Sequence, residues 1–427
     1  MMFRKETEFQ ETEIGKIPKD WKIERLGHLI DYVKGTKPKK LYDQKINENY
    51  LPYLTAEYMR GLEAPKWCNP EEDPNVIKVN SDDVIMIWDG SYAGHVFTGF
   101  DGALASTMIK IIPKYNNLDK KFMYYYLTIN FQRFRGTTIG TGVPHINKKI
   151  FKELYIPLPS LEEQKRIADI LSMIDSGIGT VDRAVAKLEG MKRTLLNELL
   201  TGRIRVREEN GKLTFYKETE FQDTEIGKIP KDWKTEKLSS LATIIMGQSP
   251  PSTTYNKEGE GLPFIQGKME FGKMYPSPTT YTSRPLKIAE KGDVLMSVRA
   301  PVGDVNIAPY KLCIGRGLAA IRFNPKMANN LFYFYYLQSI KSRLESLGKG
   351  STFKAITKKD LEELRIVYLP LNEQKGIANI LLTIDNAIEL YYREKERFLR
   401  LRRGLMSVLL TGRVRVISDV RDVGIVA

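Results

Sequence analysis

One stretch of this chain constrains its fold more than any other, because it is written twice. Leu161 to Gly202 reads LEEQKRIADILSMIDSGIGTVDRAVAKLEGMKRTLLNELLTG, and Leu371 to Gly412 repeats the pattern at a constant offset of 210. In the first copy the apolar residues Ile167, Leu171, Ile174, Ile178, Val181, Val185 and Leu188 fall in alternating steps of three and four. In the second they are Ile377, Leu381, Ile384, Ile388, Tyr391 and, after a break at Lys395, Phe398. A repeat of about 3.5 residues draws a narrow stripe suited to pairing with another long helix. Ser160 and Glu163 have the spacing of a capping box, and Gly202 and Gly412 stand where a glycine ends a helix. Each helix would be roughly 60 Å long. A rod of that length has too few globular neighbours to cover its stripe, so the two copies are expected to bury it on each other, antiparallel.

The duplication extends beyond the helices. Lys5 to Lys22 returns as Lys217 to Lys234 at an offset of 212, and only Glu11 changes, to Asp223. Between opening segment and helix the copies share anchors: Asp83-Val84-Ile85-Met86 with Asp293-Val294-Leu295-Met296, and an aromatic run at 122–126 with another at 332–336. Short β-favouring runs alternate with turns there, which reads as a mixed α/β globule of roughly 130 residues. The expected fold is α+β: two similar α/β domains separated by two long antiparallel helices in a coiled coil, with internal two-fold pseudo-symmetry. The expected divisions are 1–159, 160–202 (first helix), 203–216 (β-hairpin linker), 217–369, 370–412 (second helix) and 413–427. Asn210-Gly211 between two β-favouring runs is a hairpin signal. The second copy lacks the hairpin's other strand, and the matching residues are those at the chain's start. Met2–Arg4 is therefore expected to pair with Arg413–Val416, closing the repeat into a ring.

Lys and Arg number 66 against 52 Asp and Glu, a net charge of +14, so an anionic partner is expected. Cys68 and Cys313 are too isolated for a disulfide framework or a zinc site, and His28, His95 and His145 form no ligand-spaced cluster. No apolar run reaches the ~18 residues of a membrane span; a soluble, cytoplasmic protein is expected. A GxxxxGK[ST] phosphate loop is missing, since Gly348-Lys349-Gly350-Ser351-Thr352 lacks its first glycine. An Asn/Asp-Pro-Pro-aromatic loop for adenine methylation is missing too, Ser249-Pro250-Pro251-Ser252 coming nearest. The chain reads as non-catalytic, with no cofactor and no metal.

Between the anchors the copies diverge, and these segments supply the candidates for DNA contact. Lys34, Thr36, Lys37, Lys39 and Lys40 form a basic turn that could reach phosphates or simply face solvent. Ser91 and Tyr92 follow Trp88-Asp89-Gly90, where the second copy has Val298-Arg299-Ala300. Thr138, Thr141 and His145 lie in one Gly- and Thr-rich loop, and Lys349, Ser351 and Lys354 in its counterpart. Gln248 and Ser249 match the basic turn, while Arg299 and Arg316 could address guanine edges or be plain surface charges. The aromatic runs could stack bases or pack a core. A shared scaffold with different loops fits two readers of different targets; drift after duplication is the plainer account, but the near-identical opening segments speak against drift alone.

Two motifs carry a family resemblance: Gly15-Lys16-Ile17-Pro18-Lys19-Asp20-Trp21 (again at 227–233) and Glu163-Gln164-Lys165-Arg166-Ile167-Ala168 with Leu171 (again at 373–378 with Leu381). Opening motif, variable domain, then long helix, twice in that order, resembles the specificity subunit of type I restriction-modification systems. The resemblance implies that each globular unit is a target recognition domain reading one half of a bipartite, asymmetric site in double-stranded DNA. It implies that the helices set the half-site spacing and dock two methyltransferase subunits, with restriction (translocase/endonuclease) subunits joining them. Gln164, Ile167, Leu171, Ile174, Ile178, Gln374, Ile377, Leu381, Ile384 and Ile388 are then the residues expected at helix pairing and subunit docking. A self-contained methyltransferase or restriction enzyme, and a coiled-coil scaffold without nucleic acid, are the competing readings. Gly177, Gly179 and Gly190 face Ala387, Glu389 and Arg400 in the other copy; at about 1 kcal/mol each relative to alanine they mark the first helix as the place for a bend.

Overall fold

A computed structural model describes residues 2–135, 144–209, 212–347 and 355–417. The chain forms two compact units, Met1–Asp182 with Arg393–Ala427, and Arg183–Tyr392. The long helices run Leu161–Leu200 and Leu371–Leu409, so each contributes one half to either unit. The divisions expected from sequence keep each long helix whole, whereas the compact units cut across both helices. The first helix is continuous through all three of its glycines.

In the first unit an antiparallel sheet carries the core, in the order Val96–Phe97, Val84–Ile87, Met108–Pro113, Ile30–Lys34. All four residues of Val84–Ile87 are buried, because helices cover one face and a second small sheet covers the other. That second sheet (Lys66–Cys68, Leu51–Leu54, Gly102–Leu104, Lys78–Val79) contains one parallel pair. The second unit repeats the first sheet with Ala242–Met246, Leu318–Phe323, Val294–Ser297 and Val305–Ile307. Its other sheet has five strands.

The aromatic runs are core. Helix Lys120–Ile129 starts on Asp119, whose carboxylate accepts the Phe122 N–H, and it buries Phe122, Tyr125 and Tyr126. Helix Asn330–Ser339 does the same from Asn329 and buries every residue from Phe332 to Leu337. Rings packed on all sides cannot receive a base, so stacking by these residues is ruled out.

The ring closes without a covalent link. Met2–Lys5 pairs antiparallel with Val414–Ile417, Phe3 opposite Val416 and Arg4 opposite Arg415. Hairpin Ile204–Glu209/Lys212–Lys217 places Val206 opposite Phe215 and Arg205 opposite Tyr216, the same register at the matching positions.

The second arginine of Arg203-Ile204-Arg205 and of Arg413-Val414-Arg415 turns inward and joins the pieces. Arg205 donates two hydrogen bonds to Glu373 (2.7 and 2.9 Å), two to Asp232 (2.8 and 2.9 Å) and one to Glu218 (2.6 Å). Its guanidinium also lies 5.3 Å from the centre of the Trp233 ring, whose Nε1–H donates to Glu373. Arg415 makes the same set with Glu163, Asp20, Glu6 and Trp21. Burial alone would depress these guanidinium pKa values, but the carboxylates hold both above the ordinary range. The proline of the opening motif sits on the glycine that ends a helix: a Cβ on Gly202 would lie 2.4 Å from Pro230, and one on Gly412 2.4 Å from Pro18. Both glycines have positive φ as well. Opening motif, helix start and helix end thus meet at one clamp in each unit.

The clamp corrects two expectations. Ser160 Oγ accepts the Glu163 N–H, but the Glu163 carboxylate serves Arg415 and Trp21 instead of closing a capping box. Gln164, expected at helix pairing, donates to the carbonyls of Asn117 and Pro159 and accepts from Asp119 N–H. Gln374 does likewise with Met327, Leu369 and Asn329. A buried amide is held by whatever backbone is nearest, which here is the unit's own. Ile167 and Leu171, and Ile377 and Leu381, likewise belong to the cores of their units. Ile174, Ile384 and Ile388 are buried and Ile178 partly so.

Polar pairs fix the antiparallel helices within each unit. Asp175 accepts a hydrogen bond from the Tyr125 hydroxyl and makes an ion pair with Arg402 at 2.7 Å; Asp182 pairs with Lys395 at 2.6 Å. In the second unit Asp385 accepts from Tyr335 and from Lys192, and Tyr392 donates to Glu189. Asp175, Tyr125 and Arg402 match Asp385, Tyr335 and Lys192 position for position.

Candidate nucleic-acid interface

The strand order gathers most candidates at one end of the first sheet. Ile30–Lys34 and Val84–Ile87 both run antiparallel to Met108–Pro113, so their C-terminal ends and its N-terminal end share an edge. Lys34 closes one strand and Asp89 lies just beyond another. Asp89 is bridged to His145, which brings that residue to the same end. Gly35 permits this crowding, because a Cβ there would stand 2.2 Å from the Ala105 carbonyl oxygen. Lys34 Nζ lies 2.7 Å from Asp89 Oδ2, and His145 Nδ1 lies 2.6 Å from Asp89 Oδ1. A largely buried carboxylate thus holds two exposed side chains, the Lys34 ammonium and the His145 ring.

The other candidates of this unit spread along the same side. The Thr36 hydroxyl donates to the Asn75 carbonyl and the Lys39 N–H to the buried Asp73. The side chains of Lys37, Lys39 and Lys40 are exposed, and no ion pair involves them among the described residues. Ser91 and Tyr92 are exposed, and the Arg60 guanidinium lies 3.5 Å from the centre of the Tyr92 ring. Tyr92 continues edge-on to His95, which packs on Phe131 at 4.0 Å. Sequence reading missed Asp89 and Arg60. The position of Asp89 was a visible signal, because the other copy carries Arg299 there; nothing local pointed to Arg60.

The second unit builds the same edge from different residues. Gly247 N–H donates to the Leu318 carbonyl, Gln248 N–H to Ile314, and Arg316 N–H to the Ser249 hydroxyl. Gln248, Ser249 and Arg316 therefore share one corner. Val298 N–H donates to the Gly317 carbonyl and places Arg299 beside that corner, bridged to Ala355. Arg299 and Arg316 are exposed, and no ion pair involves either among the described residues. Thr138, Thr141, Lys349, Ser351 and Lys354 lie outside the described residues.

No group of three or more His, Cys, Asp or Glu among the described residues is arranged to hold a metal, and no described helix is long and apolar enough to cross a membrane. The edge offers hydrogen-bond donors, cations and one stacked aromatic, the inventory that contacts phosphates and base edges.

Comparisons with known proteins place this arrangement. Residues 18–189 and 230–397 match the model of the type I restriction modification DNA specificity domain. A Methanocaldococcus jannaschii protein, named provisionally as the type I restriction enzyme MjaX specificity subunit, is 40% identical over 440 residues, spanning 97% of this chain and 99% of its own. The type I restriction enzyme MjaVIII specificity subunit of the same organism is 33% identical over 97% of this chain and 98% of its own. The crystal structure of the S subunit of a type I restriction-modification system from M. genitalium shares the fold, with a TM-score of 0.63 at 17% identity over 91% of this chain and 96% of that one.

Proposed function

The chain belongs to the type I restriction-modification DNA specificity family, and from that premise we propose that it supplies the DNA sequence preference of such a complex. Each unit reads one half of a bipartite, asymmetric site in double-stranded DNA. The paired helices set the spacing between the halves and dock two methyltransferase subunits, which restriction subunits then join. The chain itself performs no chemistry; methyl transfer and cleavage belong to those partners.

One observation carries the reading. At matched positions of a matched sheet edge, the first unit has Asp89 held by Lys34 and His145, and the second has an exposed Arg299. Drift in a structural surface has no reason to concentrate at the open end of a sheet while the clamp beneath stays the same in both copies. Two readers of unlike half-sites would differ there and be alike in the clamp. In this reading Arg299 and Arg316 address bases in the second half-site. The lysines of the 34–40 turn position the backbone, and Ser91, Tyr92 and His145 contribute to the first half-site.

Co-expression with the cognate methyltransferase subunit, followed by mapping of methylated positions, tests the proposal. A single bipartite motif with two unlike halves is expected. Methylation by the purified chain alone would favour the self-contained enzyme, and absence of any motif from the complex would refute sequence reading.

A further inference from the structure

The loop that carries Arg299 ends at a charged cluster in the second unit. Gly303 N–H donates to the Ser297 carbonyl and Asp304 N–H to the Ser297 hydroxyl, so Asp304 stands at the base of residues 298–303. Its two carboxylate oxygens are each taken by a lysine at 2.7 Å, Oδ2 by Lys268 and Oδ1 by Lys341. The lysines come from distant segments. Lys268 follows Gln266, whose carbonyl accepts the Gly317 N–H beside Arg316, and Lys341 opens the helix Lys341–Leu347. A cleft of about 370 Å³ opens over the cluster, lined also by Lys273 and Gln338. Both lysines are more than a third exposed, whereas Asp304 is less so.

Resting on the reading above, we propose that Lys268 and Lys341 form a backbone-phosphate site for the second half-site, with Asp304 as the residue that positions them. Each ammonium has three donors. The bond to Asp304 occupies one and leaves others for a ligand in the cleft that both lysines line. A carboxylate between two lysines keeps their long side chains from dispersing, so less conformational freedom is lost when a phosphate arrives. Asp304 and Glu345, the latter 3.9 Å from Lys341, offset two of the three lysines around the cleft, so it keeps a net +1 that favours an anion. The balance at Asp304 agrees: burial would raise its pKa, yet the lysines hold it below the usual carboxylate range. The corresponding positions in the first unit do not repeat this cluster. Gly94 stands at the position of Asp304 and Phe131 at that of Lys341, packed against each other.

The test uses the full chain in complex with its methyltransferase subunits, bound to DNA carrying the mapped site, over a series of salt concentrations. Each lost phosphate contact reduces the slope of log affinity against log salt by about 0.9. For Lys268→Ala or Lys341→Ala, the loss of affinity between 50 and 200 mM salt should shrink about 3.5-fold, and the methylated motif should not change. Lys237→Ala removes the same charge from the end of the strand Lys234–Lys237, which lies outside that sheet and pairs with Arg365–Tyr368; Lys237 is bound there to Glu363, and the slope should stay as it is. Unchanged slopes in both lysine variants, or an equal change in Lys237→Ala, overturns the site. A relaxed second half-site overturns it in favour of base reading. If the unaltered complex shows no sequence preference, it is the specificity reading that fails.

Discussion

Replacing Arg205 by methionine tests whether the clamp holds the second unit together. Methionine keeps much of the volume and removes five charge-assisted hydrogen bonds, but these do not weigh equally. The Asp232 side chain is 59% exposed, so water replaces its lost partner at little cost. Glu373 is 7% exposed and would retain only the Trp233 indole and the Val206 N–H, at 3.2 and 3.3 Å. A buried carboxylate left without its cation costs about 3–5 kcal/mol, and most of the expected loss falls on this one group. Adding Glu373→Gln removes the stranded charge while keeping an acceptor for Trp233, and should restore roughly 2 kcal/mol. Urea unfolding of the full chain, followed by tryptophan fluorescence, gives the four free energies of the cycle. A loss below about 1 kcal/mol in Arg205→Met, or a double variant equal to the sum of the singles, would refute the view that Glu373 is the buried end of the clamp.

Acid should act on the same network. Asp232 is held below the usual carboxylate range by its hydrogen bonds to Arg205, and Glu218 chiefly by the Glu220 N–H. A carboxylate depressed in the folded state stabilises above its unfolded pKa of about 4. That contribution is lost as pH falls through the folded value. Urea midpoints should be flat between pH 7 and 5 and fall below about pH 4, less steeply in Arg205→Met. Gly190→Ala has open space, its nearest neighbour being the end of Arg193 at 3.8 Å, and should stabilise by up to about 1 kcal/mol. Gly177→Ala would place its Cβ 3.2 Å from the Phe398 ring and should gain much less, as thermal unfolding of the pair will show. A four-residue insertion in one long helix should change the spacing between half-sites and leave their sequences alone; an unaltered spacing in the methylated motif would refute the ruler.

The long helices, the strand that closes the ring and the duplicate domains were legible because each rests on a periodic or repeated signal. The clamp was not. Arg205 reads as one of three basic residues alternating along a strand, and its partners lie 13, 27 and 168 residues away. The copies did hold a clue, since Glu6, Asp20, Glu163 and Arg415 all recur as Glu218, Asp232, Glu373 and Arg205. Gln164 was expected at helix pairing because of the family motif it belongs to, but burial committed its amide to the backbone of its own unit. Gly177 suggested a weak point when it in fact makes room for Phe398. Helix propensity does not see tertiary neighbours.

The division between charges that recur and charges that do not also explains where the positive excess lies. Each clamp sets one guanidinium against three carboxylates and so carries −2. With the whole chain at +14, the rest of the protein carries +18. Matched acidic residues are thus drawn into networks that join helix ends to opening motifs, the glutamates buried and Asp20 and Asp232 at the surface, which leaves the rest of the chain more basic than composition suggests. At the sheet edges that surface is where the copies differ: Asp89 against Arg299, Gly94 against Asp304, Phe131 against Lys341. The clamp can stay the same while the edge varies, because the clamp residues are bonded to one another and not to the residues of the edge. A substitution at 299 or 341 should then alter DNA binding without a measurable change in stability, whereas one at 205 or 415 should alter stability first.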